Sequence, residues 1–252
     1  MTASTATLEW HYTPANLLGD VQAVEVGGAT VVIHHGVARA DMNEEVYRAD
    51  SSVAHALLRV IKARLAPYER QSSQPLHIDT SPMLTITHAD GRPREIHLDC
   101  YAAISITESF EIQIFRNGIL IEDTEQERQK RLQSESDLLS KHAEDDLLCR
   151  LLASHSASIC HPGDEFTHLY EILEALQAKF GKPPKWTDAL AVERAKVGKF
   201  HAVCNDPSSV SRHRGQSKGL LRVPTAEEFS HVRDFGWEMI MAYARWLEMQ
   251  SG

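Results

Sequence analysis

Apolar and polar residues alternate over much of the first half of the chain. Over most of the second half apolar residues recur every three or four positions. Leu8 to Tyr12 reads as a short strand. "VQAVEVGGATVVIHHGVARADM" holds two apolar-rich runs split by Gly27-Gly28, a hairpin signal. Asp50-Ser51-Ser52 supplies capping chemistry for a helix over "VAHALLRVIKARL", where Val53, Leu57, Leu58, Ile61 and Leu65 fall at helical spacing. Pro67 is expected to stop it. Strand signals return around the turns Asp90-Gly91 and Asn117-Gly118. Phe110, Ile112 and Ile114 alternate with Glu111 and Gln113, the pattern of a sheet with one wet face.

The texture changes near Asp123. "TEQERQKRLQSESDLLSKHAEDD" lacks glycine and proline and is mostly polar, so it reads as a linker that becomes a helix. Its 124–137 portion is charged, has no apolar periodicity and is expected to be the least packed stretch between two cores. Four helices follow. The first runs roughly over 136–156. The second begins after Pro162-Gly163, with Asp164 near its cap, and stops at Gly181-Lys182-Pro183-Pro184. The third covers roughly 187–203. The last starts at Pro224-Thr225, where Thr225 and Glu228 form a capping box. Phe166, Leu169, Leu173, Leu176 and Phe180 make one stripe, and Phe229, Val232, Ile240, Tyr243 and Leu247 make another. The expected architecture is α+β. An N-terminal antiparallel sheet region with one helix occupies 1–123, and a four-helix bundle occupies 124–252.

Composition narrows the setting. A chain of 252 residues with 42% hydrophobic positions can bury a core in each half. Cys100, Cys149, Cys160 and Cys204 form no CxxC pair, which predicts reduced thiols and a cytoplasmic location. Neither a secretory leader nor a membrane span is read, so no membrane partner is expected. The net charge of −9 argues against broad coating of nucleic acid, although it leaves room for a local basic patch.

Such a patch is suggested by "HAVCNDPSSVSRHRG", residues 201–215. It places Arg212, His213 and Arg214 side by side, with Lys218 and Arg222 close behind. Guanidinium groups offer paired donors to phosphate oxygens, and a neighbouring histidine can transfer a proton near neutral pH. A solvated loop, or an arginine capping helix C-termini, are the structural alternatives. "SESDLL", "HLYEILEAL", the Asn-Asp-Pro turn before "SRHRG", "LRVPTAEEF" and "AYARWL" together resemble a widespread uncharacterised bacterial family with a variable β-rich N-terminal region and a helical C-terminal half. The helical half also resembles HEPN domains. That resemblance implies an arginine and a histidine separated by four to six intervening residues, and metal-independent RNA cleavage at a dimer cleft. Roughly three such spacings are expected by chance in this composition. Five occur, so the spacing alone says little. Arg150–His155 lies on an apolar stripe and reads as core. Arg194–His201 leads into the basic loop and is the better candidate.

Metal readings are weaker. Glu165–His168 and Glu228–His231, with Glu144 and Glu193, follow the order of a di-iron carboxylate bundle. At 100° per residue both histidines fall roughly 110–120° from their stripe centres, so they face outward. Cys160-His161 and His201-x-x-Cys204 do not match a zinc knuckle. No metal and no cofactor is expected. Two function classes remain. One is a HEPN-like nucleotide- or RNA-binding protein, with His213 and His201 as catalytic candidates and Arg212, Arg214, Arg194 and Lys218 as binding candidates. The other is a non-catalytic interaction module with a protein partner or a second copy.

Overall fold

The computed structural model describes residues 4–50, 52–88, 93–96, 113–116, 119–209, 211 and 213–251, with backbone alone for 93–96, 113–116 and 119–124. The chain forms two compact units, Met1–Ser140 and Lys141–Gly252. It is an α+β protein whose antiparallel sheet lies in the first unit.

In chain order the first unit contains β1 (Thr5–Thr13), β2 (Gln22–Val26), β3 (Ala29–His34), β4 (Val37–Asn43), α1 (Glu44–Ala49) and α2 (Val53–Ser72). There follow β5 (His77–Ile78), β6 (Met83–Thr87), β7 (Pro93–Ile96), β8 (Gln113–Arg116), β9 (Ile119–Asp123) and α3 (Thr124–Lys141). The sheet runs β2-β3-β4-β1-β6-β7, with β5 on the end of β1 and β8-β9 a separate ribbon. Gly27 and Gly28 both take positive φ, as the expected tight hairpin between β2 and β3 requires. Ala6, Leu8, Trp10 and Tyr12 alternate inward on β1. Val31 and Ile33 on β3 and Ala38, Ala40 and Met42 on β4 join the same core, together with Leu57, Ile61 and Leu65 on α2.

Three local expectations change. The helix α2 does not stop at Pro67 but continues to Ser72. Residues on either side of the proline, from Leu57 to Glu69, are mostly buried, and that burial outweighs the roughly 3 kcal/mol helix penalty of proline. The N-terminal region holds a second helix, α1, capped by the Asn43 side chain on the Glu45 amide. It is too short to carry an apolar period. The supposed linker is helical from Thr124 and belongs to the first unit. Leu132, Ser136, Leu139 and Ser140 are buried at helical spacing, and Leu132 joins the sheet core. Two of these four are serines, which hid the stripe. The turns at Asp90-Gly91 and Asn117-Gly118, and Phe110 to Ile112, lie outside the described residues.

The second unit contains α4 (Asp146–Cys160), α5 (Glu165–Phe180), α6 (Lys185–Ala189), α7 (Arg194–Asn205) and α8 (Ala226–Gln250). The four longer helices pack together. The helix expected over 136–156 is divided, because the Asp145 side chain accepts from the Leu148 amide and starts a new helix there. The helix expected over 187–203 is likewise divided, at Ala191, which sits in the left-handed region. Phe166, Leu169, Leu173, Leu176, Val232, Ile240 and Tyr243 are buried as the stripes require. The helix α8 passes close to α5 at Gly236, where a Cβ would meet Leu169 Cδ2 at 3.0 Å.

The docking of α3 is directly testable. Leu132→Ala should reduce unfolding free energy by about 2–4 kcal/mol in urea melts, the cost of a truncated core leucine. A change below about 0.5 kcal/mol would mean that α3 is not held by the core.

Candidate functional site between the seventh and eighth helices

The segment between α7 and α8 is built on Asp206. The helix α7 ends as Asn205 Nδ2 donates to the His201 carbonyl, and Pro207 bars a further turn. Asp206 Oδ1 accepts from both the amide and the hydroxyl of Ser208, at 2.9 and 2.7 Å. Its carbonyl accepts from the Ser211 hydroxyl at 2.6 Å and the Ser209 hydroxyl at 3.3 Å. Both serines are fully buried. The Arg222 amide then bonds the Ser208 carbonyl at 2.8 Å, closing the loop.

Arg222 reinforces that closure. Its guanidinium donates to Asp206 Oδ2 through Nη2 at 2.6 Å and Nε at 3.1 Å, and to both Glu228 oxygens at 2.7 and 2.8 Å. Glu228 also accepts from the Thr225 amide while Thr225 Oγ1 accepts from the Glu228 amide, so the expected capping box is present. Arg222 chiefly, with the Thr225 amide, holds the Glu228 carboxyl down at about 2. Asp206 is lowered mainly by the Ser208 hydrogen bonds and then by Arg222.

The sequence-predicted residues are distributed around this segment. Arg214 donates to the Gly163 carbonyl at 2.7 Å and to Asp164 Oδ1 at 2.6 Å, tying the loop to the turn that opens α5. Arg194 donates to both oxygens of Asp188 at 2.8 and 3.0 Å. The side chain of His213 lies 3.3 Å from Gln216 Nε2 through Nδ1. His201 is exposed on α7, with its ring edge-on to Tyr170 at 5.7 Å. Lys218 is exposed. Arg212 lies outside the described residues. Seven positions separate Arg194 from His201, roughly 10 Å of helical rise. No hydrogen bond or ring contact joins His201 to His213 among the described residues.

The electrostatics follow from these pairs. Arg194 and Arg214 each face one carboxylate, and Arg222 faces two. Exposed pairs of this kind contribute only about 0–1 kcal/mol, so an anion could open one. It would then sit beside the displaced carboxylate. Of the described cations in the segment, Lys218 is the one with no acidic neighbour forming an ion pair.

The other sequence candidates also have definite places. His155 is buried against Trp237 at 4.9 Å, as a core histidine should be. Glu165 is buried and takes a bidentate bond from Arg233. His168 lies 3.5 Å from Glu171, and His231 Nε2 lies 3.3 Å from the Lys196 carbonyl. Burial pushes the His231 imidazole below its ordinary value. Among the described residues no three His, Cys, Asp or Glu side chains converge as a metal site, and Cys149, Cys160 and Cys204 form no disulfide.

Sequence reasoning missed Leu220, Leu221 and Val223. They are 101%, 39% and 80% exposed, on the loop that Arg222 closes. The available signal was an apolar triplet, "GLLRVP", outside any strand or helix period.

The clasp makes a pH prediction. Glu228 and Asp206 titrate below their unfolded values, so their stabilisation is present above about pH 4.5 and is lost as pH falls toward 2. Glu228→Gln should therefore cost about 1 kcal/mol at pH 6, through the cap and the exposed ion pair, and much less at pH 2.5. Urea melts at the two pH values check it; an equal deficit at both would remove the ionic contribution. The chain matches no protein-family model, no curated protein and no solved structure, so the roles of these residues rest on their geometry and chemistry.

Proposed function

We propose that the helical unit is a non-catalytic interaction module, with the 217–224 loop as its contact element. The observation that carries this reading is the exposure of Leu220, Leu221 and Val223 on a loop tied down by Arg214 before it and by Arg222 within it. Leaving such side chains in water forgoes about 1.5–3 kcal/mol each relative to burial. A loop already closed loses little further entropy when a partner covers it. Scaled by their exposure, the three side chains would supply roughly 3–7 kcal/mol gross. Association costs are of similar size, so these residues would anchor a wider contact rather than bind alone. The partner is a protein with an apolar pocket, and reduced thiols are in keeping with a cytoplasmic setting.

The nucleotide- or RNA-binding reading, implied by the HEPN resemblance, is the second. His201, His213 and Lys218 are accessible enough to serve it. Arg194 and Arg214 would serve it only after leaving Asp188 and Asp164.

Wild-type protein and the double variant Leu220→Ser/Val223→Ser separate the two as paired baits. The expected result is a protein partner held by the wild type and weakened by at least about tenfold in the variant, at unchanged melting temperature. Equal retention by both would overturn the interaction reading. Cleavage of single-stranded RNA without metal, abolished by His213→Ala and indifferent to the leucine change, would establish the second reading instead.

A further inference from the structure

A different part of the molecule carries a separate inference. The first unit contains a cavity of ≈ 480 Å³ lined by Asp20, Gln22, Tyr68, Gln133, Ser134 and Asp137. Its size falls in the ~300–1,000 Å³ range of small-molecule sites. Its lining does not follow the usual pattern. Such sites are mostly apolar with a few polar groups. Here Gln129 and Lys130 complete the wall, and among the described residues no aliphatic side chain contributes to it.

Local structure explains how these groups converge. Gln129, Gln133 and Asp137 lie four apart on α3 and share a face, as Arg64 and Tyr68 do on α2. Gln22 opens β2 opposite the fully buried Ile33 and is itself buried. An apolar residue would serve that position if packing were the only demand. Instead Gln22 Nε2 donates to the Tyr68 hydroxyl at 2.5 Å. The buried Ser136 hydroxyl lies 2.9 Å from the Arg64 carbonyl and 3.4 Å from Gln22 Oε1. Arg64, also buried, pairs with Asp137 Oδ1 at 2.6 Å, and Gln133 Nε2 donates to the same oxygen at 3.0 Å. The wall is thus fixed from behind by a buried polar network, which orients its donors and acceptors in advance. Arg64 Nε has no hydrogen-bond partner among the described residues, which is uncommon for a buried arginine that serves packing alone.

The charges select the ligand. Arg64 pairs with Asp137 and Lys130 with Glu127, so Asp20 leaves one surplus negative charge at the rim, which disfavours an anion and is too little to select a cation. What it offers in number are amides, hydroxyls and carboxylate oxygens, beside one aromatic ring. Those groups satisfy a molecule that both donates and accepts at many points and has an apolar face for Tyr68. We propose that this cavity binds an uncharged polyhydroxylated ligand of monosaccharide size.

The test uses the isotope-labelled full chain, with D-glucose, D-galactose, N-acetyl-D-glucosamine, myo-inositol and adenosine as probes. Adenosine separates recognition of a nucleoside from that of a free sugar or polyol. The expected result is that at least one probe shifts the amide signals of Gln22, Gln133 and Ser134 with a roughly millimolar or tighter dissociation constant. Asp20→Asn and Gln133→Ala, both at the accessible rim, should each weaken it about tenfold without lowering the melting temperature. Glucose 6-phosphate should bind more weakly than glucose because its phosphate meets the surplus negative charge of Asp20. Absence of shifts with all five probes, indifference to both variants, or tighter binding of the phosphorylated sugar would each overturn the assignment.

Discussion

Arg222 spans two carboxylates that lie sixteen positions before it and six positions after it, and the segment between α7 and α8 takes its shape from that span. Closing a loop of this length costs about 2.5 kcal/mol of chain entropy. Exposed ion pairs of about 0–1 kcal/mol each do not offset that cost with much margin. The remainder comes from the bond between the Arg222 amide and the Ser208 carbonyl, and from the buried Ser209 and Ser211 hydroxyls on the Asp206 carbonyl. Each contributes about 0.5–1.5 kcal/mol net. The clasp and the loop therefore hold one another. The same carboxylate that grips Arg222 also caps α8, so the start of the longest helix and the loop before it form one unit of stability.

This arrangement decides what the basic stretch can do. Read along the chain, Arg214 and Arg222 look like ligands awaiting an anion. In three dimensions both are occupied by protein acceptors, one of which, the Gly163 carbonyl, is a backbone group next to a helix start. That is close to the structural alternative of an arginine serving a helix end. The consequence is an exchange of roles. The polar residues of the segment become its scaffold, and the apolar ones, Leu220, Leu221 and Val223, become its outward-facing surface.

What could be read in advance follows the range of the interactions. The Thr225–Glu228 capping box, the Gly27-Gly28 hairpin and the stripes of α5 and α8 depend on neighbours within a few positions, and each is present as read. The α2 helix crosses Pro67 because its burial comes from strands far away in the chain, which outweigh a local penalty. The α3 stripe was hidden because Ser136 and Ser140 occupy buried positions where their hydroxyls find backbone acceptors. Arg214 and Asp164 are fifty positions apart, and no local pattern announces their bond. Partner choice among seventeen arginines is a property of the fold, so the basic stretch was visible in the sequence while its occupation was not.

Each unit places a tyrosine within a polar network rather than in a wholly apolar core. In the second unit the Tyr243 hydroxyl meets Lys179 at 2.7 Å and Asp145 at 3.1 Å, and Asp145 in turn caps α4. Burial first, then the Asp145 charge, raises its phenol well above the ordinary value. All the polar ends of that network have partners, and Lys179 further lies over the Tyr243 and Trp246 rings at 5.0 and 5.1 Å. A closed network of this kind fixes helix positions and leaves nothing to offer a ligand. The Gln22–Tyr68 network differs because it borders an open cavity rather than packed rings. Both networks orient their elements, but only the one beside the cavity presents its remaining hydrogen-bonding capacity to solvent. With 35 acidic against 26 basic residues, the chain as a whole repels anions. An uncharged ligand in the first unit and an apolar contact on the second are the two kinds of recognition that this charge does not oppose.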